Sequence, residues 1–347
     1  MNQVVVHITR GGVSESRHLA SLAIVNATGQ LLAEGGSSER LTFWRSAAKP
    51  VQILPLLVTG APQQFGFTSD ELAVMVASHS GETAHVQAVL SVLDKIGLGE
   101  ESLRCGVHAP LYKPAAEALA KAGELPRALH CNCSGKHAGM LALARWHNWP
   151  TSGYTEIEHP VQRDILKTVA QVCGVPVSVI PLGVDGCGVP TYLLSLQAMA
   201  VAYARLASQN HLTPELAAAA AMLTAAMKQH PYMVGGTARL DTALMAACGG
   251  RLIAKSGSEG VFCVGWPQRN LGLTVKIEDG SSRALAPLVI EVLQRLGALT
   301  SEEAGSLADL HHPKVRTNAG STVGSIETEI PEPLANVLAR LAMEPIN

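Results

Sequence analysis

Arg45-Ser46-Ala47-Ala48-Lys49-Pro50 stands where the chain changes from strand-like segments to a long helix-like region. Before this stretch, Gln3–Ile8 and Leu19–Asn26 are rich in β-branched and apolar residues, which is typical of strands. After Ala47 the apolar residues recur with a helical period for about two hundred residues. The stretch therefore separates a sheet-forming start of the chain from a helical region.

Strand character returns towards the carboxyl end of the chain. The candidates there are the strands Arg251–Lys255, Val261–Val264 and Leu273–Ile277 and the amphipathic helix Arg283–Leu296. Because strand-rich parts flank a helical middle, we expect one mainly antiparallel sheet built from both chain termini, in an α/β fold of the α+β type. We expect a single unit over residues 1–347, with sheet-forming parts at 1–45 and 250–335 and a helical region at 46–249.

The helical region divides into segments with recognisable starts. Thr68 followed by Glu71 predicts a capping box, and Pro114, Pro160 and Pro214 suit the first turn of a helix. The predicted helices are His85–Ile96, Pro114–Lys121, Ala138–His147, Pro160–Cys173, Tyr192–Ala207 and Pro214–Lys228.

The composition is that of an apolar, nearly neutral globular protein. Of the 347 residues 47% are hydrophobic and 16% are charged, and the net charge is -2. Without a basic block, nucleic acid and anionic membrane surfaces are poor partners. The apolar runs fall short of the roughly 20 residues of a spanning helix. The seven cysteines and the absence of a signal-like start favour reduced thiols and a cytoplasmic protein.

Ser46 and Lys49 place a hydroxyl and an amine three residues apart. On a helix they share a face, so the amine could serve as the base for the serine. For the pair taken alone, a helix cap followed by a solvated lysine is the better-supported interpretation. With Ser78 in the middle and Lys255-Ser256-Gly257 on a later strand, the set follows the order of penicillin-recognising serine enzymes.

A second group of candidates lies around two cysteine-containing segments, Cys131-Asn132-Cys133-Ser134-Gly135-Lys136-His137 and Val184-Asp185-Gly186-Cys187-Gly188. The thiolates of Cys133 and Cys187 could share a soft divalent ion such as zinc, with His137 as ligand or donor. Small buried cysteines are the plainer interpretation. Asp185 is a candidate for binding a substrate ammonium group, or a simple turn residue.

Taken together, these motifs resemble those of the Rhizobium etli-type L-asparaginase family. The resemblance runs from Arg10-Gly11-Gly12 to His312-Pro313. The segments that carry it are Arg45–Pro50, Ala77–Ser80, Asn132–His137, Asp185–Cys187, His230–Val234, Lys276–Gly280 and His311–Pro313. It implies an amidohydrolase that releases ammonia from L-asparagine, a fold similar to serine β-lactamases and glutaminases, and a homodimer.

The resemblance also assigns roles to residues of this chain. It implies one Ser-Lys tandem of Ser46 with Lys49 and a second of Ser78 with Lys255. It implies a zinc site near the catalytic groups, formed by Cys133, Lys136 and Cys187. The positions that line the substrate pocket are Arg45, His137 and Asp185.

The expected mechanism is attack of Ser46 on the side-chain amide, with Ser78 relaying a proton to Lys255. An ordinary lysine is protonated at neutral pH, so one of the two lysines must be neutral to act as the base. Zinc is expected to order the pocket, not to activate water. The open alternatives are a glutaminase, a penicillin-recognising serine hydrolase and, from a different class, a zinc-stabilised amino-acid-binding protein.

Overall fold

The computed structural model describes residues 3–344, which contain strands, α-helices and short 3₁₀ helices. The strands are β1 Val4–Arg10, β2 Val13–Asn26, β3 Leu31–Gly35, β4 Leu41–Phe43, β5 Leu182–Val184, β6 Pro190–Ser195, β7 Ile253–Gly257, β8 Val261–Trp266, β9 Leu271–Ile277, β10 Lys314–Arg316 and β11 Thr322–Glu329. The α-helices are α1 Lys49–Leu57, α2 Ala61–Phe65, α3 Ser69–Met75, α4 Thr83–Lys95, α5 Lys113–Lys121, α6 Ser134–Trp146, α7 Pro160–Cys173, α8 Leu196–Ser208, α9 Pro214–Gln229, α10 Pro231–Gly235, α11 Leu240–Ala247, α12 Leu285–Arg295, α13 Ser301–Ser306, α14 Ala308–His311 and α15 Glu332–Met343.

The chain forms two compact units. The sheet unit comprises the chain up to Thr42, the segment Leu194–Ser208 and the chain from Ala243 onward. The helical unit comprises Phe43–Leu193 and Gln209–Thr242. Each unit therefore contains segments that are distant in sequence.

The sheet unit is built on an eight-stranded sheet in the order β10-β11-β1-β2-β9-β8-β7, with β3 also paired to β2. Strand β2 pairs antiparallel with β9, with Ala20 opposite Ile277, and β1 pairs antiparallel with β11, with Val5 opposite Glu329. Strands β1 and β2 from the start of the chain thus lie between strands from its end in one sheet. This confirms the prediction of a mainly antiparallel sheet built from both termini.

Helix α8 packs closely on this sheet, although its sequence lies in the predicted helical region. Gly272 on β9 faces α8, and a Cβ atom there would lie 1.9 Å from the carbonyl oxygen of Ala200. Only glycine allows such an approach of backbone to backbone. All seven residues of β9 are buried, and the sheet has its core along this strand.

The helical unit is organised around α1, whose nine residues are all buried. Helices α6, α7 and α9 pack around it. A helix that is buried on every side is typical of the centre of a helical core. Lys49, the first residue of α1, is the one charged residue of this helix, and it is buried.

The predicted helices are confirmed, but two of their starts are wrong: α6 begins at Ser134, four residues before the predicted Ala138, and α8 begins four residues after the predicted Tyr192. The capping box of Thr68 and Glu71 begins α3, and α7 spans the predicted range Pro160–Cys173. Tyr192, predicted as the start of a helix, lies instead on β6 opposite Leu182 of β5. This pairing is a tertiary contact that overrides the helical pattern, and α8 begins only at Leu196.

Within the described residues, none of the helices is both long enough and apolar enough to span a bilayer.

We predict that Gly135→Ala destabilises the protein by about 1–3 kcal/mol, because overpacking strains a filled core. A Cβ at Gly135, in the first turn of α6, would lie 2.1 Å from the carbonyl oxygen of Val74 on α3. The matched control is Gly305→Ala, also in a helix, where the added methyl group meets nothing within 4 Å. Thermal denaturation should show a lower Tm for the first variant and an equal or higher Tm for the control. Equal effects would contradict the packing argument.

Candidate active site

The predicted nucleophile Ser46 lies at the start of the central helix of the helical unit. Arg45–Ala48 form a 3₁₀ turn that continues directly into α1, which confirms the predicted helix start. Arg45 has a φ of 55°, in the left-handed region. A non-glycine residue there costs of the order of 1–2 kcal/mol. Strained backbone of this kind is often found at functional sites.

The amine of Lys49 is completely buried and bonds to two other segments. Its Nζ lies 2.5 Å from the carbonyl oxygen of Ala77, 3.0 Å from Ser78 Oγ and 3.2 Å from the carbonyl oxygen of Asn132. The sequence spacing suggested Ser46 as the partner of this amine. Among residues 3–344, however, Ser46 Oγ makes no hydrogen bond, so the hydroxyl that Lys49 contacts is that of Ser78.

The three contacts of Lys49 suit two protonation states. The carbonyl groups of Ala77 and Asn132 only accept hydrogen bonds, whereas the Ser78 hydroxyl donates or accepts. A charged amine donates to all three oxygens. A neutral amine gives its two hydrogens to the carbonyl groups and directs its lone pair at the Ser78 hydroxyl. A proton can therefore pass between Ser78 and Lys49 without movement of the heavy atoms.

Ser78 lies in a segment held from several sides. Its N–H donates to the carbonyl oxygen of Val234 at 3.0 Å, and Ser80 Oγ donates to that of Gly235 at 3.0 Å. Between them, His79 Nδ1 accepts from the N–H of Gly81 at 3.2 Å. The other ring nitrogen of His79 therefore carries the proton, and burial lowers the pKa of His79 well below its usual value. The histidine is thus a neutral structural donor.

Arg45 and Asp185 form a largely buried ion pair. Arg45 Nε lies 2.8 Å from Asp185 Oδ1, which also accepts from the N–H of Gly186 at 2.8 Å. A tight turn holds the aspartate, since Gly188 donates to its carbonyl oxygen and its own N–H donates to Val189. Within residues 3–344, Asp185 Oδ2 and the terminal amino groups of Arg45 make no hydrogen bond. The ion pair thus leaves one carboxylate oxygen of Asp185 and the terminal amino groups of Arg45 able to form hydrogen bonds with a bound molecule.

Cys133, Lys136 and Cys187 lie together in the interior of the helical unit. Lys136 Nζ is 3.0 Å from Cys187 Sγ, and the neighbouring Cys133 thiol, together with burial, raises the pKa of Cys187. Hydrogen bonds from neighbouring thiols hold the pKa of Cys133 well below its usual value. Burial opposes the charge of Lys136, yet the nearby thiols raise its pKa overall.

The donor set of this trio fits a soft divalent cation. Two sulfur atoms and an amine converge, and such donors favour zinc over magnesium or calcium. No group of three or more His, Cys, Asp or Glu side chains within residues 3–344 is arranged to hold a metal ion, so the fit depends on the lysine. The amine must lose a proton to coordinate, a cost that two thiolates can offset.

His137 lies next to the trio and is completely buried. Its Nδ1 lies 2.8 Å from the hydroxyl of Tyr154, while its Nε2 is buried without a hydrogen bond in the described part of the chain. Burial, with the charge of Lys136, lowers the pKa of His137 to about 3. A buried, unpartnered ring nitrogen in this place suits a neutral donor or ligand to a bound group.

Lys255, the remaining predicted site residue, lies in the sheet unit on β7. It is fully buried, and its amine donates to the carbonyl oxygen of Ser256 at 2.9 Å. The other nine predicted residues all belong to the helical unit.

Some residues at this site could not be found from sequence motifs. Ala77 and Asn132 contribute carbonyl oxygens to Lys49, and backbone acceptors carry no side-chain signal. Thr191 accepts a hydrogen bond from the N–H of Arg45 at 3.3 Å. It lies on β6, the strand that the helical pattern concealed.

Comparison with known proteins gives one family. The profile of the L-asparaginase II family matches residues 6–328. No curated protein sequence matches the chain. A solved β-lactamase from Mycobacterium bovis aligns at 12% identity over 76% of this chain and 88% of that chain, with a TM-score of 0.38. Because the family match spans nearly the whole length, the chain belongs to the L-asparaginase II family.

Proposed function

We propose that the protein hydrolyses the side-chain amide of L-asparagine to L-aspartate and ammonia through a seryl acyl-enzyme. The observation that carries the proposal is the buried contact of Lys49 Nζ with Ser78 Oγ at 3.0 Å, on the helix that begins beside Ser46. An amide is cleaved by a serine only if a base removes the hydroxyl proton. The membership in a family of amidohydrolases is consistent with this chemistry.

Ser46 is the proposed nucleophile, and Ser78 with Lys49 is the proposed proton acceptor. Ser46 Oγ forms a bond to the amide carbon, and its proton passes to the pair. The N–H of Ser46, in the first turn of a helix, is a candidate donor to the oxyanion. The proton then goes to the leaving nitrogen, ammonia departs, and water cleaves the ester by the reverse path. Lys255 remains a predicted catalytic lysine, and this prediction rests on the sequence resemblance alone.

Arg45 and Asp185 support an α-amino acid as the substrate. The guanidinium group suits the α-carboxylate, and the free oxygen of Asp185 suits the α-ammonium group. Glutamine shares both groups and differs from asparagine by one methylene, which is worth about 1–3 kcal/mol in a pocket. Glutaminase activity is therefore the nearest alternative, and ammonia release should be measured with both amino acids.

Cys133, Lys136 and Cys187 are the proposed ligands of a zinc ion. When bound, the ion supplies positive charge that stabilises both thiolates, which fixes the two segments carrying them. The side chains of Asp185 and His137 lie on those segments and are positioned with them.

We predict that Ser46→Ala and Lys49→Ala each lower kcat/KM for asparagine by about 10²-fold or more, because each removes a participant in proton transfer or attack. Ammonia release measures the effect. Lys113→Ala, which removes an exposed lysine from α5, serves as the control and should retain full activity. Quenching a slow variant in acid should leave the acyl group on Ser46. An acyl group on Ser78 would reverse the roles of the serines.

We predict that Asp185→Asn lowers kcat/KM for asparagine by about 10- to 100-fold, through loss of a charged hydrogen bond to the substrate ammonium. Succinamic acid, which lacks the α-amino group, is a poor substrate that the substitution should not impair further. Asp94→Asn, on the exposed side of α4, should change neither rate. An equal loss with both substrates would assign Asp185 to catalysis or folding instead of ammonium recognition.

We predict that the purified protein contains about one zinc ion per chain and that Cys187→Ser removes most of it, because a hydroxyl is a much weaker zinc ligand than a thiolate. Elemental analysis after gel filtration measures the content. The control Cys263→Ser replaces a buried cysteine of β8 in the sheet unit. Equal zinc content in both variants would exclude the proposed trio.

A further inference from the structure

The segment that carries Ser78 is hydrogen-bonded at several points to a second segment of the helical unit. Residues 77–82 lie between α3 and α4 and form neither helix nor strand. Their partner is the segment of residues 234–237, which begins in α10. The bonds join, in order along both segments, Ser78 with Val234, Ser80 with Gly235 and Glu82 with Thr237. Ser78 thus lies at one end of a row of bonds, and Glu82 lies at the other.

Glu82 makes the strongest contact of this row, because both oxygens of its carboxylate are used. Oε1 accepts from the N–H of Thr237 at 2.8 Å, and Oε2 accepts from the Thr237 hydroxyl at 2.7 Å. Hydrogen bonds to an ionised carboxylate are shorter and roughly twice as strong as neutral ones. Ser78 and Ser80, by comparison, donate neutral hydrogen bonds of 3.0 Å to backbone carbonyl groups. Glu82 therefore holds the row at its outer end.

Gly236 brings the two segments into direct contact at this end. Its φ is 102°, in the left-handed region, and a Cβ there would lie 2.6 Å from Glu82 Oε1 and 2.7 Å from Ser80 Oγ. Only glycine combines this backbone conformation with so close an approach. The backbone of Gly236 thus packs against the two side chains that bond to its neighbours.

The loop that follows Gly236 is strained and lies at the surface. Thr237 and Ala238 are exposed, and Ala238 has a φ of 59°. A non-glycine residue adopts this conformation only at a cost in free energy, so surrounding contacts must hold it in place. Glu82 supplies two such contacts. Without them, relaxation of the loop would act on the next bonds inward, those of Gly235 and Val234.

We propose that Glu82 is a positioning residue for the proposed catalytic Ser78 and that it acts through Thr237 and residues 234–236. A shift of these residues would move the acceptor of the Ser78 N–H and thus the hydroxyl that lies 3.0 Å from Lys49 Nζ. A misplacement of about 1 Å can lower a catalytic rate about 10²-fold. The expected effect on rate rests on the proposed function, whereas the effect on the position of Ser78 does not.

The kinetic test compares two substitutions of Glu82. Glu82→Ala removes both acceptors, and we expect kcat for asparagine to fall about 10-fold with KM changed less than about twofold, because Arg45 and Asp185 remain in place. Glu82→Gln keeps both contacts, since its amide oxygen accepts from the N–H of Thr237 and its amide nitrogen donates to the hydroxyl oxygen. It should recover most of the activity. Glu124→Ala, which removes an exposed glutamate from the same unit, should change neither constant.

Three kinetic results would overturn the proposal. The first is a kcat of Glu82→Ala equal to that of the wild type. The second is a loss in Glu82→Gln as large as in Glu82→Ala, which would assign the effect to charge. The third is a lower Tm of Glu82→Ala with unchanged kcat well below that Tm, which would assign Glu82 to folding alone. Thr237→Ala tests the partner: it should lower kcat by a smaller factor and have no further effect when combined with Glu82→Ala.

Amide hydrogen exchange tests the position of Ser78 without any activity. The N–H of Ser78 is hydrogen-bonded in a buried residue, so it should exchange slowly in the wild type. Mass spectrometry with fragmentation of the peptide locates the exchange at this residue. We expect exchange about 10-fold faster or more in Glu82→Ala and wild-type protection in Glu82→Gln. Equal protection in Glu82→Ala and the wild type would overturn the proposal.

The two tests separate failure of the inference from failure of the proposed function. If the wild type releases no ammonia from asparagine or glutamine, the proposed function is wrong, and the exchange result still decides whether Glu82 holds Ser78. If the wild type is active and Glu82→Ala is unaffected in both tests, the inference alone is wrong.

Discussion

The buried amine of Lys49 is the constraint on which the helical unit depends. A charged or strongly polar group removed from water is tolerated only if its hydrogen bonds are satisfied. Lys49 satisfies them with two carbonyl oxygens and one hydroxyl from the segments at Ala77–Ser78 and Asn132. Those segments must stay where they are, because displacement of either would leave the amine unpartnered. The same bonds place Ser78 beside the helix that starts at Ser46.

Close backbone packing makes these bonds possible. Gly135 brings the first turn of α6 against α3, so the segment before α6 carries Asn132 to Lys49 and Cys133 to Cys187. The carbonyl groups of Val234 and Gly235 hold the segment of Ser78 from the other side. The catalytic candidates are therefore positioned mainly by backbone atoms, in a region where side chains leave little space for adjustment.

Much of the fold could be predicted because its signals are local. The strands at both ends show β-branched and apolar runs, and the helices α3, α7 and α9 begin with capping or proline signals that depend on a few adjacent residues. The strand β6 could not be recognised, because its apolar residues also suit a helix and only its pairing with β5 distinguishes the two. Propensity is a weak guide where a tertiary pairing decides.

Nine of the ten predicted site residues lie in the helical unit, but the sequence did not give the contacts between them. Cys133 and Lys136 lie one helical turn apart, a spacing visible in the sequence, but their contact with Cys187 is set by chain packing. Lys49 and Ser46 are close in sequence, yet the amine extends to Ser78, because the carbonyl groups that a buried amine requires lie there.

The turn that holds Asp185 also connects this proposed substrate-binding residue to the proposed metal ligand Cys187. Asp185 and Cys187 are separated by Gly186 alone, and hydrogen bonds of Asp185 with Gly188 and Val189 hold the turn as one piece. A shift of the backbone at Cys187 would therefore move the carboxylate that is paired with Arg45. Electrostatics connects the same groups, since the charge of Asp185 helps to raise the pKa of Lys136. A metal bound by Cys187 and Lys136 would thus act on substrate affinity through the geometry and charge of this turn, without contact with the reacting amide.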